Sequence, residues 1–418
     1  MGELSQDIRD GKTSRQELYR RNGWWPGEPL VARYARHVDA APDRPAVLDD
    51  RGVSLTRQGL WSQAGRIADE LARSGVGPGD VVIECLPNRV EWQTVFLACL
   101  RLGAVPATVP LTTDAETLGY LCDLTGARAL VVPVAHRSRA FDEEAMAIAR
   151  SRGRATAVLL VGDDGLRTRR TADGAAERPA APADLSHLMF TSSTTGRPKA
   201  VMHTEDTLAA VNIGFAERFT ITAEQPIFMA SPLGHSVGAW HGARLSLFTG
   251  APLVLLDRWD PGQALTMIER ERCGFTAAAT PFLKDLVDAE WRGSGTKLAG
   301  MHTFLCGGAP VPPALVDQAA DQMPDTFVTV LWGMTEGGVT TCVPGDPPQR
   351  VAQTAGVGLP GLQMRTLRND GTPTAPGESG ELVMRGPGVF VGYLGQEDLY
   401  RELLTDDGFF RTGDMAAI

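Results

Sequence analysis

The sequence predicts an α/β protein: two units of mostly parallel sheet covered by helices, with a smaller β-rich unit after them. Three observations predict it. From Leu30 onward, short apolar runs alternate with segments of helical period, the pattern of parallel strands joined by crossover helices. A second series of such runs begins near Leu185, after a stretch at 162–184 rich in Asp, Arg, Ala, Gly and Pro that reads as an exposed connection. Beyond about Pro344 the apolar runs shorten and Gly/Pro turns become frequent, which suits a small β-barrel or distorted sheet. The expected units are 1–184, 185–343 and 344–418.

The elements follow in order. Residues 1–30 are polar up to Gly23-Trp24-Trp25-Pro26-Gly27, whose adjacent indoles are expected to pack an N-terminal arm onto the body. Val31–Val38 has helical period and Pro45–Leu48 reads as a strand. Thr56 is placed to cap a helix through Leu60, Ala64, Ile67 and Leu71 that stops at Gly75. Val81–Leu86 is a buried strand, Trp92–Leu102 an apolar helix ending at Gly103, and Val105–Leu111 the next strand. Ala129–Val132 and Ala157–Val161 extend the first sheet. In the second unit Leu185–Phe190, Val201–Thr204, Pro252–Leu256, Phe275–Ala278, Phe304–Cys306 and Phe327–Leu331 are strands, and Thr204 or Asp206 caps a helix through Leu208, Val211 and Phe215. Met364–Leu367, Glu381–Met384 and Val389–Tyr393 are the short strands of the last unit.

Composition narrows the function. The 418 residues carry a formal net charge of -10, which argues against general affinity for nucleic acid. The six Cys (85, 99, 122, 273, 306 and 342) form no metal-ligand or C-x-x-C spacing, and their apolar settings read as reduced core residues of a cytoplasmic protein. No segment is long and apolar enough to span a membrane, and the N-terminus shows no signal-peptide pattern.

One stretch dominates the chemistry: Thr191-Ser192-Ser193-Thr194-Thr195-Gly196-Arg197-Pro198-Lys199, five consecutive hydroxyl residues leading to Gly, Pro and Lys between two apolar runs. Hydroxyls and backbone N–H groups donate to phosphate oxygens, Gly allows close approach and Lys supplies charge. The other reading is a flexible Ser/Thr linker, but linkers are rarely held between strands. The Gly-x-x-x-x-Gly-Lys-Ser/Thr phosphate loop does not fit, because no Gly stands five residues before Gly196.

With its continuation Ala200-Val201, this stretch resembles the Thr-Ser-Gly-Thr-Thr-Gly-x-Pro-Lys-Gly-Val signature of the adenylate-forming superfamily: acyl-CoA synthetases, aryl-acid–AMP ligases, luciferases and peptide-synthetase adenylation domains. Ser193 and Ala200 stand where the family usually has Gly. Four further segments resemble family motifs in the expected order: Ser231-Pro232-Leu233-Gly234-His235-Ser236-Val237-Gly238, Gly307-Gly308-Ala309-Pro310, Trp332-Gly333-Met334-Thr335-Glu336 and Thr412-Gly413-Asp414.

The resemblance implies the following roles. Thr191 to Gly196 and Lys199 bind the ATP phosphates. Trp332, in place of the usual Tyr, flanks adenine, with Gly333 and Met334 beside it. Thr335 contacts phosphate and Glu336 holds Mg²⁺, a role that suits a hard oxygen ligand. Gly307, Gly308, Ala309 and Pro310 line the adenine and acyl pockets with backbone. Asp414 accepts from both ribose hydroxyls. His235 gates the acid, whose pocket is lined by Ser236, Val237, Gly238, Ala239, Gly307, Gly308 and Gly333. Gly380-Glu381-Leu382 and Gly392-Tyr393 fit the family region but read as structural. Read singly, Glu336 could be a solvated residue at a strand-end turn and Gly-Asp a turn; the set carries the assignment.

The implied activity is ATP-dependent ligation of a small carboxylic acid through an acyl-adenylate, with CoA or the phosphopantetheine of an acyl carrier protein as acceptor. The nearest resemblance is to cyclohexanecarboxylate–CoA ligase-like enzymes, with aryl-acid–AMP ligases as the alternative. No Asp lies between Ser231 and Phe248, which argues against an amino acid as substrate. The family continues past Thr-Gly-Asp into a small C-terminal domain bearing a catalytic Lys. This chain stops at Ile418, so an N-terminal core with impaired adenylation, or a non-catalytic adenylate-binding module, is expected.

Overall fold

The computed structural model describes residues 14–151, 157–162, 165–170, 184–191, 196–292, 298, 300–309 and 311–418. Its strands are β1 (Pro45–Asp49), β2 (Ser54–Thr56), β3 (Val81–Glu84), β4 (Val105–Thr108), β5 (Ala129–Pro133), β6 (Ala157–Gly162), β7 (Gly165–Arg170), β8 (Leu185–Thr191), β9 (Lys199–Thr204) and β10 (Ile227–Met229). The remainder are β11 (Leu253–Leu255), β12 (Phe275–Ala279), β13 (Thr303–Gly307), β14 (Phe327–Met334), β15 (Gly337–Thr341), β16 (Val357–Gly358), β17 (Gln363–Leu367), β18 (Ser379–Arg385), β19 (Gly392–Tyr393) and β20 (Phe410–Ala417).

These strands form three sheets. The first has nine strands in the order β16-β15-β14-β13-β12-β10-β11-β1-β2 and is parallel from β14 to β1. The second has eight, β19-β9-β8-β4-β3-β5-β6-β7, parallel from β8 to β6. The third, β17-β18-β20, is antiparallel and open rather than a closed barrel. Antiparallel strands close the edges of both large sheets. Sheet membership crosses the boundary expected at 184/185: β1 and β2 join the first sheet with β10 to β16, whereas β8 and β9 join the second with β3 to β7.

The helices between the large sheets follow local chemistry. Thr56 Oγ1 accepts from Gly59 N at 3.0 Å and caps the helix Arg57–Arg73. Gly103, in the left-handed region at φ 71°, ends the helix Val90–Leu102. Thr204, not Asp206, caps the helix Glu205–Arg218, its Oγ1 accepting from Thr207 N at 3.3 Å. Leu60, Phe96, Leu208 and Phe215 of these helices share one buried cluster with Val82 and Val131 of the second sheet and Leu253 and Ala277 of the first. The N-terminal arm is tied down as expected, with Trp25 Nε1 donating to Pro387 O at 2.9 Å. All six Cys are buried and unbridged.

One expectation is corrected. The stretch 162–184 is not wholly connection, since β7 lies within it and pairs antiparallel with β6; residues 171–183 lie outside the described residues. β7 reads Gly-Leu-Arg-Thr-Arg-Arg, a composition without the apolar run by which the other strands of this sheet are recognised.

Candidate active site

Three of the marked loops leave the carboxyl ends of parallel strands in the first sheet. β10 runs into 230–235, β13 ends at Gly307 and leads into 308–309, and β14, whose last residues are Trp332–Met334, leads into 335–336. In open α/β sheets that edge is where ligands bind. Gly307 is required there, because a Cβ would lie 2.4 Å from Leu331 O on β14. Gly308 takes φ +82°, with open space around the missing side chain, and both it and Ala309 are exposed. Pro310 lies outside the described residues.

The hydroxyl-rich stretch is the tip of an antiparallel hairpin. β8 and β9 pair from Leu185↔Thr204 to Thr191↔Lys199, so the chain turns between Thr191 and Lys199. Ser192, Ser193, Thr194 and Thr195 lie outside the described residues. Gly196 is exposed at φ +134° with nothing near its missing side chain. Thr191 Oγ1 is buried and has no partner among the described residues.

The segment 332–336 meets the hairpin at Tyr393. Its phenol donates to Glu336 Oε1 at 2.7 Å, and Glu336 is 5 % exposed. The Lys199 ammonium stands over the same ring, 4.6 Å from its centroid. Burial and the Glu336 carboxylate both push the Tyr393 pKa up, so the phenol keeps its proton and remains a donor. The turn Thr335–Glu336 is gripped from two more sides: Phe390 N donates to Glu336 O at 2.9 Å, and His203 Nε2 lies 2.8 Å from Thr335 O. Burial lowers the His203 pKa to about 4, so the ring is neutral near pH 7, with Nε2–H the donor to that carbonyl. Gly337 and Gly338 follow because Gly388 O and Met384 Sδ would stand 2.3 and 2.0 Å from added Cβ atoms.

Trp332 and Asp414 also come together. The indole Nε1 donates to Asp414 Oδ2 at 3.0 Å. The substitution of Trp for the usual Tyr loses a phenol oxygen, and the indole N–H instead ties the ring to the carboxylate. Gly333 is exposed and Met334 half-buried beside them.

The acid segment is built by close backbone approach. A Cβ on Gly234 would lie 2.3 Å from Val109 C and O, and one on Gly238 2.3 Å from Pro232 O. Asn88 holds the turn, donating to Ser231 O and accepting from Leu233 N, each at 2.9 Å. His235 is exposed, and partial desolvation lowers its pKa below 6.5. Ser236 and Val237 are half-buried, and Gly238 and Ala239 buried. Residues 239–244 form a π-helical turn, a feature common at functional sites. Trp240 turns into the core, its Nε1 donating to His187 Nδ1 at 3.0 Å. Among the described residues no hydrogen bond joins 235–239 to Lys199, Thr335 or Glu336; Trp240 packs edge-on to His203 at 4.7 Å and links them indirectly.

Sequence reasoning missed Tyr393 and His203. Tyr393 read as structural, and nothing in Gly392-Tyr393 marks a residue that reaches another strand's carboxylate. His203 sits in the strand that follows Lys199, and only the pairing of that strand could have flagged it.

A family model described as AMP-binding enzyme matches residues 34–394. Medium-chain fatty-acid–CoA ligase of Escherichia coli (strain K12) is 28% identical, over 96% of this chain and 72% of that protein. Salicyl-AMP ligase / salicyl-S-ArCP synthetase of Mycobacterium tuberculosis is 29% identical, over 96% and 73%. The apo structure of MbtA from Mycobacterium smegmatis superposes with a TM-score of 0.83 at 28% identity, covering 96% of this chain and 75% of that one. These relatives agree with the expected acid ligase. Since the family model spans most of the length, the chain belongs to the AMP-binding enzyme family.

Proposed function

We propose that this chain activates an apolar carboxylic acid as its acyl-adenylate with ATP and passes the acyl group to CoA or a carrier-protein thiol. The observation that supports it best is the convergence of Lys199 and Glu336, from two different sheets, on Tyr393. Among the described residues no three His, Cys, Asp or Glu gather as a metal cage. The Glu336 carboxylate, with Oε1 taken by the Tyr393 phenol and Oε2 without a hydrogen bond among the described residues, would suit a Mg²⁺ whose other ligands are phosphate oxygens and water. When bound, that ion would neutralise phosphate charge.

The chain's own residues do the positioning. Thr191 Oγ1 and Lys199 hold the phosphates, Trp332 flanks adenine and Asp414, already oriented by the indole, accepts from the ribose. A substrate carboxylate oxygen attacks the α-phosphorus and pyrophosphate leaves. The acceptor thiol then adds to the acyl carbon, AMP leaves and the thiol proton goes to solvent. Val237 and Ala239 favour a cyclic or medium-chain acid beside His235.

A second reading, a hydroxylated aromatic acid, is favoured by His241. Its Nδ1 is buried without a partner among the described residues, on the turn that continues 235–239. A substrate hydroxyl could donate there, and an unpaired buried group otherwise costs about 1–3 kcal/mol. Acid-dependent pyrophosphate exchange with octanoate, cyclohexanecarboxylate, benzoate, salicylate and 2,3-dihydroxybenzoate separates the two. The first reading expects cyclohexanecarboxylate or octanoate to lead by roughly tenfold in kcat/KM; a lead for a hydroxylated acid overturns it. ATP binding that is indifferent to Mg²⁺ and to Glu336→Gln overturns the nucleotide site.

A further inference from the structure

We infer that Tyr393 is a positioning residue that sets the Glu336 carboxylate toward a metal–phosphate ligand and keeps it apart from Lys199. The inference rests on the nucleotide site proposed above and names a part of it that neither the motifs nor the relatives assign.

Three elements meet at this ring. β19 carries Tyr393, and its register with β9 (Gly392↔Met202, Tyr393↔Val201) places it two residues along from Lys199 on the neighbouring strand. Gly392, at φ +137°, makes the backbone turn that lets β19 add to β9. The ring is 1% exposed and packs on Phe390 at 4.9 Å, so it has little freedom to swing. From there the phenol reaches Glu336 Oε1 and the π face meets the Lys199 ammonium.

The arrangement solves a specific problem. A Lys and a Glu facing one small site attract each other, and in a largely dry setting they would close into an ion pair that blocks both phosphate and metal. No such pair forms between Lys199 and Glu336, both of which are described residues with no ion pair to one another. The ring contacts and satisfies each: the cation through its quadrupole, the carboxylate through a hydrogen bond. With Oε1 engaged by the phenol, Oε2 is the oxygen presented to a monodentate cation. Hydrogen-bond partners of ligating carboxylates typically affect metal affinity by 10–100-fold.

The test is calorimetric titration of Mg²⁺ into the protein with saturating ATP, alongside metal-free titration of AMP. Tyr393→Phe keeps the ring and loses the hydroxyl. It should weaken the apparent Mg²⁺ affinity at least tenfold, leave AMP affinity within twofold and leave Tm nearly unchanged. Tyr393→Leu also removes the ring; it should weaken metal-free ATP binding as well, as Lys199 closes on Glu336. In the Glu336→Gln background Tyr393→Phe should add no further loss of Mg²⁺ dependence. An unchanged Mg²⁺ affinity in Tyr393→Phe, or equal losses for Mg²⁺ and AMP, overturns the positioning role while leaving the nucleotide site intact. Absence of nucleotide binding by the unmodified chain overturns the site itself.

Discussion

Trp332 shows how a single substitution can carry its own compensation. The ring expected to flank adenine donates its indole N–H to the carboxylate expected to bind ribose. Trp332→Phe keeps the flat ring and removes that donor. AMP should bind roughly three- to tenfold more weakly, the scale of one exposed hydrogen bond to a charged group. Inorganic pyrophosphate, which lacks ribose, should be unaffected in competition. Glu84 offers a residue-scale prediction of another kind. It lies on β3 at 0 % exposure, and neither carboxylate oxygen has a hydrogen-bond partner among the described residues. Desolvation raises its pKa well above 4.5, so the folded chain holds a proton that the unfolded chain releases. Its contribution therefore becomes more unfavourable as pH rises from about 4.5 toward the folded value, by about 1.4 kcal/mol per pH unit. Glu84→Gln should be more stable than the unmodified protein at pH 7 in urea denaturation, with the gain fading toward pH 4.5.

At the scale of elements, the loop 230–235 depends on backbone contact rather than side chains. Gly234→Ala places a methyl 2.3 Å from Val109 C and O. It should cost more than about 1 kcal/mol in urea denaturation and should displace His235, which reads out as a raised KM for the acid. Most strands were legible because they are buried on both faces and appear as continuous apolar runs; β8 and β13 match their expected ranges within a residue. β15 and β20 were not legible. β15 is buried throughout but reads Gly-Gly-Val-Thr-Thr, with one aliphatic residue to signal it, and β20 is largely exposed and interrupted by Gly413 and Asp414. The order of the motifs was readable, and so were the two short strands flanking the hydroxyl-rich stretch, though not that they pair antiparallel. That Tyr393 joins Lys199 to Glu336 was not, since it depends on a two-residue strand adding to β9.

The whole molecule is held by helices that touch both large sheets. Phe215 packs on Phe275 of β12 at 6.4 Å, although its helix leads directly out of β9 in the other sheet. The two sheets should therefore unfold together. Phe215→Ala should cost about 3–5 kcal/mol and should shift far-UV circular dichroism and tryptophan fluorescence by the same amount. Separate shifts would show that the sheets are independent. Among the described residues no helix is long and apolar enough to cross a membrane.

The hairpin geometry of the phosphate stretch has an electrostatic consequence. In loops where a strand turns directly into a helix, the helix macrodipole faces the bound anion. Here the chain first runs back as β9, and the helix Glu205–Arg218 starts only after five further strand residues, about 17 Å away. The positive end of the helix instead meets Glu205 and Asp206 of its own first turn. On the proposed reading, phosphates at this hairpin meet the side-chain charges of Lys199 and Arg197 rather than a helix N-terminus. Nucleotide affinity here should respond to ionic strength as the attraction of side-chain charges rather than of a helix terminus.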